Sequence, residues 1–162
     1  MHNLGDLLKV LMGVEIDFVL VGGFASVVYG SSMVTRDLDI CTLITSEEIE
    51  KLRQCLKDFH PKHRMTPKKL SFLEFPAELK GVNNIYLETD LGVLDVISQV
   101  TGVGTYGQIK SRSIEIALYG KKCKLISLDD LITSKKAMGR DKDKAVVKEL
   151  EAVRKAKGSS RE

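Results

Sequence analysis

Cysteine, proline and aromatic residues are scarce in this chain of 162 residues. Three cysteines are present, tryptophan is absent, and aromatic residues make up 6% of the sequence. Because the cysteine count is odd and no Cys-x-x-Cys pair occurs, neither a disulfide framework nor a structural zinc site is expected. We expect Cys41, Cys55 and Cys123 to be reduced and to lie in or near the core.

The chain also lacks a long apolar run and a strong charge of one sign. Residues 1–6 contain no basic segment followed by an apolar stretch, so we expect neither a signal peptide nor a membrane span, and we predict a cytoplasmic protein with no membrane partner. The net charge of +3 is too small to indicate nucleic-acid binding by itself. With 43% hydrophobic residues, the chain has enough apolar material for one globular domain.

Hydrophobic periodicity predicts an α/β fold class. Apolar residues at spacings of three and four, and short β-branched runs, predict a mixed, twisted sheet with flanking helices and C-terminal helices. The basic stretch 60–69 is predicted to be an exposed loop, and 101–107 a glycine-rich loop. Helices are predicted at 3–13, 24–29, from 46 to before Pro61, at 128–138 and at 141–156, and strands at 16–21, 36–42, 83–89, 92–98, 113–118 and 122–126.

A glycine pair followed by Asp-x-Asp is the most informative feature. Gly22 and Gly23 end a predicted strand before a helix, where glycine lets the backbone approach a ligand and the helix N-terminus offers N–H groups to phosphate. Asp37 and Asp39 lie two residues apart on the next strand, so their carboxylates point the same way, about 6–7 Å apart along the chain. Oxygen ligands at that separation can hold Mg²⁺. The alternative is a solvent-facing strand edge.

Asp95 is a lone charge in the hydrophobic strand 92–98. Burial of an unpaired carboxylate is costly, so such an acid is expected to have a partner or a metal. A third carboxylate beside Asp37 and Asp39 would complete a two-metal arrangement. The alternative is a salt bridge to a basic group such as Arg112.

These motifs resemble the nucleotidyltransferase superfamily that includes DNA polymerase beta. The whole chain resembles the small nucleotidyltransferase-like proteins of the AbiEii-toxin type. Four motifs in order carry the resemblance: Gly-Gly-x-Ala from residue 22, Thr-x-Asp-Leu-Asp-Ile at 35–40, Gly-x-Leu-Asp at 92–95 with its glycine-rich loop, and Leu-Ile-x-x-Lys-x-x-x-Gly-Arg-x-Lys-Asp at 131–143.

The resemblance implies a role for each residue of the site. Gly22 and Gly23 would face the phosphates of a bound NTP, Asp37 and Asp39 would bind metal, and Asp95 would bind a second metal and accept the proton of the attacking hydroxyl. Many relatives have Arg where this chain has Met33, which leaves Ser31 and Ser32 as the polar, nucleotide-binding groups of that turn. Lys135 and Arg140 would reach phosphate or acceptor.

The resemblance also implies a domain layout. Residues 1–126 would form the nucleotidyltransferase core, 127–157 a helical segment packed on it, and 158–162 a disordered tail. Many relatives carry an acid where this chain has Val146. For Lys135, Arg140, Lys142 and Asp143, a solvated helix face is an equal alternative. Tyr106 either packs its loop or stacks on a base, and His2, His60 and His63 are expected at the surface.

The activity implied is Mg²⁺-dependent transfer of a nucleoside monophosphate from an NTP to a hydroxyl group, with two Mg²⁺ ions bound beside the NTP. The acceptor would be an RNA, a protein or a small molecule. The chain would serve as the toxin of a toxin–antitoxin pair, with an antitoxin as partner. Two alternatives stay open: a catalytically silent protein of this fold that binds a nucleotide or a partner, and a plain nucleic-acid-binding module.

Overall fold

The computed structural model describes residues 3–159. Its helices are α1 (Leu4–Met12), α2 (Gly22–Val28), α3 (Ser46–Leu56), α4 (Tyr106–Arg112), α5 (Leu128–Met138) and α6 (Asp141–Ser159), with a single 3-10 turn at Lys57–Phe59. Its strands are β1 (Phe18–Val21), β2 (Asp37–Thr42), β3 (Lys62–His63), β4 (Asn84–Thr89), β5 (Gly92–Ile97), β6 (Gln99–Val100), β7 (Gly104–Thr105), β8 (Ile114–Leu118) and β9 (Lys121–Leu125).

The main sheet contains strands of both orientations, in the order β3-β4-β5-β2-β1-β9-β8. At its centre β2 runs parallel to β5 and antiparallel to β1, and β1 runs parallel to β9. The hairpins β4–β5 and β8–β9 add antiparallel strands on either side. The predicted α/β class, with a mixed sheet and flanking helices, is therefore confirmed.

Local sequence signals explain where the helices begin. The Asn3 side chain caps α1, the Thr45 side chain caps α3 and the Ser127 side chain caps α5, and each helix has an acidic residue in its first turn. In α1 the apolar stripe Leu7, Leu8 and Leu11 is fully buried. The stripe packs α1 against α3 and against strands β2 and β5.

The C-terminal helices pack onto the same body as the glycine turn. Helix α2 contacts β1, β2 and α5, and α5 in turn packs along α6. Val146, Val147 and Leu150 bury one face of α6. The helical segment is thereby placed beside the strand ends that carry Asp37 and Asp39, while the predicted division at residue 126 stays a prediction.

Several predicted boundaries differ from the structure. Strand β1 begins at Phe18, two residues later than predicted, and the predicted loop 101–107 contains β7 and the first two residues of α4. The basic stretch 60–69 includes the short strand β3, which pairs with β4. Helix α6 continues to Ser159, past its predicted end at 156, and the remainder of the predicted tail, like His2, lies outside the described residues.

The state of the cysteines and the apolar character of the helices bear on the predictions of no disulfide and no membrane span. The three cysteines are free thiols, of which Cys41 and Cys123 are buried. Between residues 3 and 159 no helix is long and apolar enough to cross a membrane.

Candidate active site

Strand pairing brings the three predicted acids together. Asp39 on β2 is the register partner of Asp95 on β5, and Asp37 stands two residues before Asp39. Residues directly opposite on neighbouring strands, and residues two apart on one strand, project from the same face of a sheet. Asp37, Asp39 and Asp95 accordingly line one cleft.

This first cleft has a volume of ≈ 240 Å³ and lies between the strand ends and the C-terminal helices. One wall carries the acids together with Gly23, and the facing wall comes from α5, α6 and the loop before β2. The other side chains that line it are Ser26, Met33, Val34, Thr35, Lys135, Met138, Arg140, Lys142, Asp143 and Val146.

The pKa of Asp39 is strongly raised. Burial, together with the negative charges of Asp95 and Asp37, raises the pKa of Asp39 to about 7, although Lys135 and a hydrogen bond with the Gly23 backbone act in the opposite direction. A carboxylate in this environment is stabilised by any cation that enters the cleft. The electrostatics of the site therefore favour the binding of positive charge.

Asp95 already has a cationic partner, Arg64. Nη2 of Arg64 lies 2.8 Å from both carboxylate oxygens of Asp95, and Nε lies 3.1 Å from Oδ1. Burial raises the pKa of Asp95, and the charge of Asp37 adds to this effect, while hydrogen bonds from Arg64 oppose it; the net shift is upward. The structure thus contains the predicted alternative, a salt bridge of Asp95 to a basic group, but the basic group is Arg64. Arg112 pairs with Asp130 instead.

The carboxylates of the cleft are of the type that the magnesium implied by the sequence resemblance requires. Asp37 and Asp39 offer carboxylate oxygens to one cleft, which is the ligand type that Mg²⁺ prefers. Within residues 3–159, however, no three His, Cys, Asp or Glu side chains are arranged to hold a metal ion. Asp37 and Asp39 would supply two carboxylate ligands for a Mg²⁺ ion, whereas both oxygens of Asp95 accept hydrogen bonds from Arg64.

Gly22 and Gly23 allow the turn between β1 and α2 to pack closely against the acids. Gly22 has φ of +69°, and a Cβ atom there would lie 2.8 Å from Cγ of Asp39 and overlap its carboxylate oxygen. A Cβ on Gly23 would lie 2.8 Å from Oγ1 of Thr35. Both glycines are therefore required by close approach, and at Gly22 by backbone conformation as well.

We expect Gly22→Ala to destabilise the protein more than Gly120→Ala, its matched control. Gly120 has a similar φ of +76° but faces open space, so alanine there adds only about 1–2 kcal/mol of backbone strain. At Gly22 the same strain is joined by a clash with Asp39, worth about 1–3 kcal/mol more. Urea unfolding of both variants measures the difference, and equal losses would contradict the proposed close contact.

Lys135 is buried rather than solvated, contrary to the helix-face alternative. It is 8% exposed on α5, and its Nζ lies 3.6 Å from Oδ1 of Asp143, which is 1% exposed on α6. Nε of Arg140 donates to Oδ2 of the same carboxylate at 2.6 Å. Asp143 therefore holds two cations that line the cleft, Lys135 and Arg140, whose predicted contact with nucleotide stays a prediction.

Ser31 and Ser32 bind a carboxylate of the protein itself. The backbone N–H and Oγ of Ser32 donate to Glu149 on α6 at 2.9 and 2.7 Å, and Oγ of Ser31 donates to it at 3.0 Å. Neither serine belongs to the cleft lining, whereas Met33 does. The two serines hold the loop before β2 against α6, and their predicted contact with nucleotide stays a prediction.

A second cleft meets the first at Asp39. It has a volume of ≈ 270 Å³ and shares Asp39, Lys135, Met138 and Arg140 with the first cleft. The residues that only the second cleft contains are polar or apolar, and none of them is charged. These residues include Asn84, Tyr86, Gln99, Thr101 and Ser134.

Arg64, Ser26 and Thr35 lie at the site but were not predicted as site residues. Arg64 belongs to the stretch predicted as an exposed loop, and no local pattern signals its pairing with an acid 31 residues later. Thr35 is part of the Thr-x-Asp-Leu-Asp-Ile motif, so the motif itself contained a signal for it. Tyr106 packs in the core at 5% exposure, which decides between its two predicted roles.

Comparisons with known proteins agree with the fold. No protein-family profile and no curated protein sequence matches the chain. Among solved structures, it is similar to the lincosamide antibiotic adenylyltransferase LnuA with lincomycin bound, at a TM-score of 0.62 and 17% sequence identity over 93% of this chain and 95% of LnuA. The chain therefore has the nucleotidyltransferase fold, and the AbiEii-type subgroup stays a prediction.

Proposed function

We propose that this protein is a Mg²⁺-dependent nucleotidyltransferase that transfers a nucleoside monophosphate from an NTP to a hydroxyl group. The observation that carries the proposal is the register of β2 and β5, which sets Asp39 beside Asp95 and places Asp37 in the same cleft. The closeness of Gly22 to Asp39 supports it, because a side chain there would displace the carboxylate. The likeness to LnuA, named an adenylyltransferase, supports the same class of activity.

In the proposed reaction, the acceptor oxygen forms a bond with the α-phosphorus of the NTP. The bond from that phosphorus to the bridging oxygen breaks, and pyrophosphate leaves with the bonding electrons. Asp95 takes the proton of the acceptor hydroxyl. Asp37 and Asp39 would hold Mg²⁺, which neutralises phosphate charge. Lys135 on α5 and Arg140 in the turn between α5 and α6 line the same cleft and would face those phosphates.

The two clefts suit two substrates. The first has the glycine turn, the carboxylates Asp37 and Asp39 for Mg²⁺, and cations such as Lys135, so it would take the triphosphate as its Mg²⁺ complex. The second has an uncharged wall of polar and apolar side chains and meets the first at Asp39, so it suits the acceptor. Its ≈ 270 Å³ matches a small molecule more closely than a folded RNA or protein. LnuA, named for a lincosamide antibiotic, is similar in length to this chain, which favours a small hydroxylated acceptor first.

The RNA and protein acceptors, the toxin role and an antitoxin partner follow from the sequence resemblance alone and stay predictions. The catalytically silent alternative has one specific observation in its favour, the occupation of Asp95 by Arg64. An assay of nucleotidyl transfer distinguishes an enzyme from the catalytically silent alternative and identifies the acceptor.

We expect transfer of label from α-³²P-labelled ATP, with release of pyrophosphate, to at least one member of an acceptor panel. The panel contains hydroxylated antibiotics, total tRNA and a cell protein extract, and the assay is repeated with each NTP. Asp37→Asn/Asp39→Asn is the negative control. If the protein binds a nucleotide but no NTP and no acceptor gives label transfer, the silent alternative replaces the enzyme.

A further inference from the structure

Arg64 stands at the end of a row of residues that crosses the sheet. Asp39 pairs with Asp95, and Asp95 pairs with Tyr86. The backbone N–H of Arg64, directly after β3, donates to the Tyr86 carbonyl at 3.1 Å. The Arg64 side chain runs across Tyr86, with its guanidinium carbon 5.3 Å from the ring centroid, and reaches Asp95. Strand pairing therefore fixes the approach of this cation to the third acid.

The guanidinium takes both oxygens of Asp95. Its Nη2 contacts each oxygen at 2.8 Å, and the side chains are only 27% exposed for Arg64 and 11% for Asp95. A planar guanidinium matches a carboxylate in this way and keeps its positive charge at any physiological pH. Because Asp95 also lines the first cleft, the ion pair belongs to the site and not to the core behind it.

We infer that Arg64 is the built-in cation of Asp95, in the position that a second divalent ion would occupy, so that the loaded site holds one divalent ion. This inference rests on the proposed function. Arg64 is then a positioning residue, because it acts through Asp95. Its charge neutralises Asp95 and leaves Asp37 and Asp39, whose two negative charges are balanced by one divalent ion. Mg²⁺ is commonly held by one or two carboxylates together with substrate phosphates.

A second ion at Asp95 would have to displace a guanidinium that is held from three sides. The guanidinium is hydrogen-bonded to the Asp95 carboxylate and lies over the Tyr86 ring, and the backbone N–H of Arg64 is hydrogen-bonded to β4. A divalent ion and a guanidinium at the same carboxylate would also repel each other. Removal of the guanidinium should therefore create the second ion site that the protein does not use.

The test counts Mn²⁺ ions by the electron paramagnetic resonance signal of free Mn²⁺. Titrations are made with Mn²⁺ alone and with Mn²⁺ plus α,β-methylene-ATP, in which transfer is blocked. We expect one Mn²⁺ per wild-type complex and a second Mn²⁺ in Arg64→Met, with binding of Mn²⁺ alone at least about tenfold tighter in that variant. Arg112→Met, whose partner Asp130 lies outside the cleft, should behave as wild type, and Arg64→Lys, which keeps the charge but loses the bidentate contact, should fall between wild type and Arg64→Met.

The possible outcomes of the Mn²⁺ titrations each bear on the role of Arg64 or on the proposed function. Two Mn²⁺ ions in the wild-type complex overturn the inference without any variant, and so does an unchanged count in a folded Arg64→Met. If wild type fails to bind α,β-methylene-ATP, the proposed function fails, and the titrations with Mn²⁺ alone still judge Arg64. Equal Mn²⁺ affinity of wild type and Arg64→Met in those titrations, or no binding by either, overturns the inference.

Discussion

Replacement of Asp37 and Asp39 by asparagine is expected to abolish the stabilisation of this protein by Mg²⁺ and nucleotide. A ligand at 100 times its Kd stabilises a protein by about 2.7 kcal/mol. At this chain length such a gain raises Tm by roughly 5–10 °C. Wild type should show that rise only with Mg²⁺ and the preferred NTP together, and the double variant should show none. Differential scanning fluorimetry with each NTP makes the measurement and names the base.

The same double variant should lose transfer activity by about 10³-fold or more. Charge stabilisation by a catalytic metal is worth several kcal/mol, and each 1.36 kcal/mol is tenfold in rate. Asp141→Asn is the matched control, because Asp141 is a fully exposed acid on α6 that does not line the cleft. A ligand-induced rise in Tm that survives in the double variant would show that these acids do not hold the metal.

The single variant Asp39→Asn adds a pH dependence in the absence of metal. Burial, with the charges of Asp95 and Asp37, raises the pKa of Asp39 to about 7 in the folded protein, against about 3.9 in the unfolded chain. Below pH 4 the group is protonated in both states and has no effect. As pH rises from about 4 to about 7, the unfolded chain releases the proton first, so wild-type stability falls, by at most about 4 kcal/mol.

Asparagine has no such ionisation, so Asp39→Asn should become more stable than wild type by a margin that grows over this pH range. Urea unfolding at pH 5 and pH 8 measures the margin. A margin that is constant with pH would mean that Asp39 titrates normally.

The second large effect is expected from Asp143→Asn. This change leaves Lys135 buried at 8% exposure without the carboxylate 3.6 Å from its Nζ. Loss of one partner of a buried ion pair costs about 3–5 kcal/mol, which corresponds to a fall in Tm of roughly 6–20 °C. The control is Glu151→Gln, which removes an exposed pair with Lys136 across the same two helices and should change Tm little.

At low pH, the difference in stability between wild type and Asp143→Asn should become smaller. Burial alone would raise the pKa of Asp143, but hydrogen bonds from the side chain and backbone of Arg140 outweigh it, so the pKa is lowered. A carboxyl group of this kind stabilises the fold above its unfolded pKa and loses that contribution as pH falls through its folded pKa. The deficit of the variant should thus be full at pH 7 and shrink below pH 4.

A second substitution tests the origin of the loss. In Lys135→Met/Asp143→Asn no buried charge is left unpaired, so part of the lost stability should return. If the double variant is instead as unstable as the sum of both single variants, the loss comes from packing and not from charge.

Local patterns were enough to predict most of the fold. Strands such as β2 and β5 and helices such as α5 follow directly from apolar spacing and capping residues. Helix α4 was missed because it is seven residues long and contains Gly107. Its sequence did hold a signal, since Thr105 and Gln108 form a capping box.

The acids and glycines of the site were predictable because they lie in compact motifs, whereas their partners were not. Arg64 and Glu149 reach their partners only through strand register and helix docking, which involve residues 31 and 117 or more positions apart. The burial of Lys135 could have been predicted from the sequence, because Lys135 lies at the i+4 and i+3 positions from the buried Leu131 and Ile132. A charge on a buried stripe predicts a buried partner, here Asp143.

The bonds from Ser31 and Ser32 to Glu149 have a mechanical consequence. They attach the loop before β2 to α6. The same loop contributes Met33 to the first cleft. Any motion that widens the cleft on this side must carry loop and helix as one rigid unit or break these bonds. The far C-terminal helix is thus structurally coupled to the entrance of the cleft, although it supplies none of the three acids.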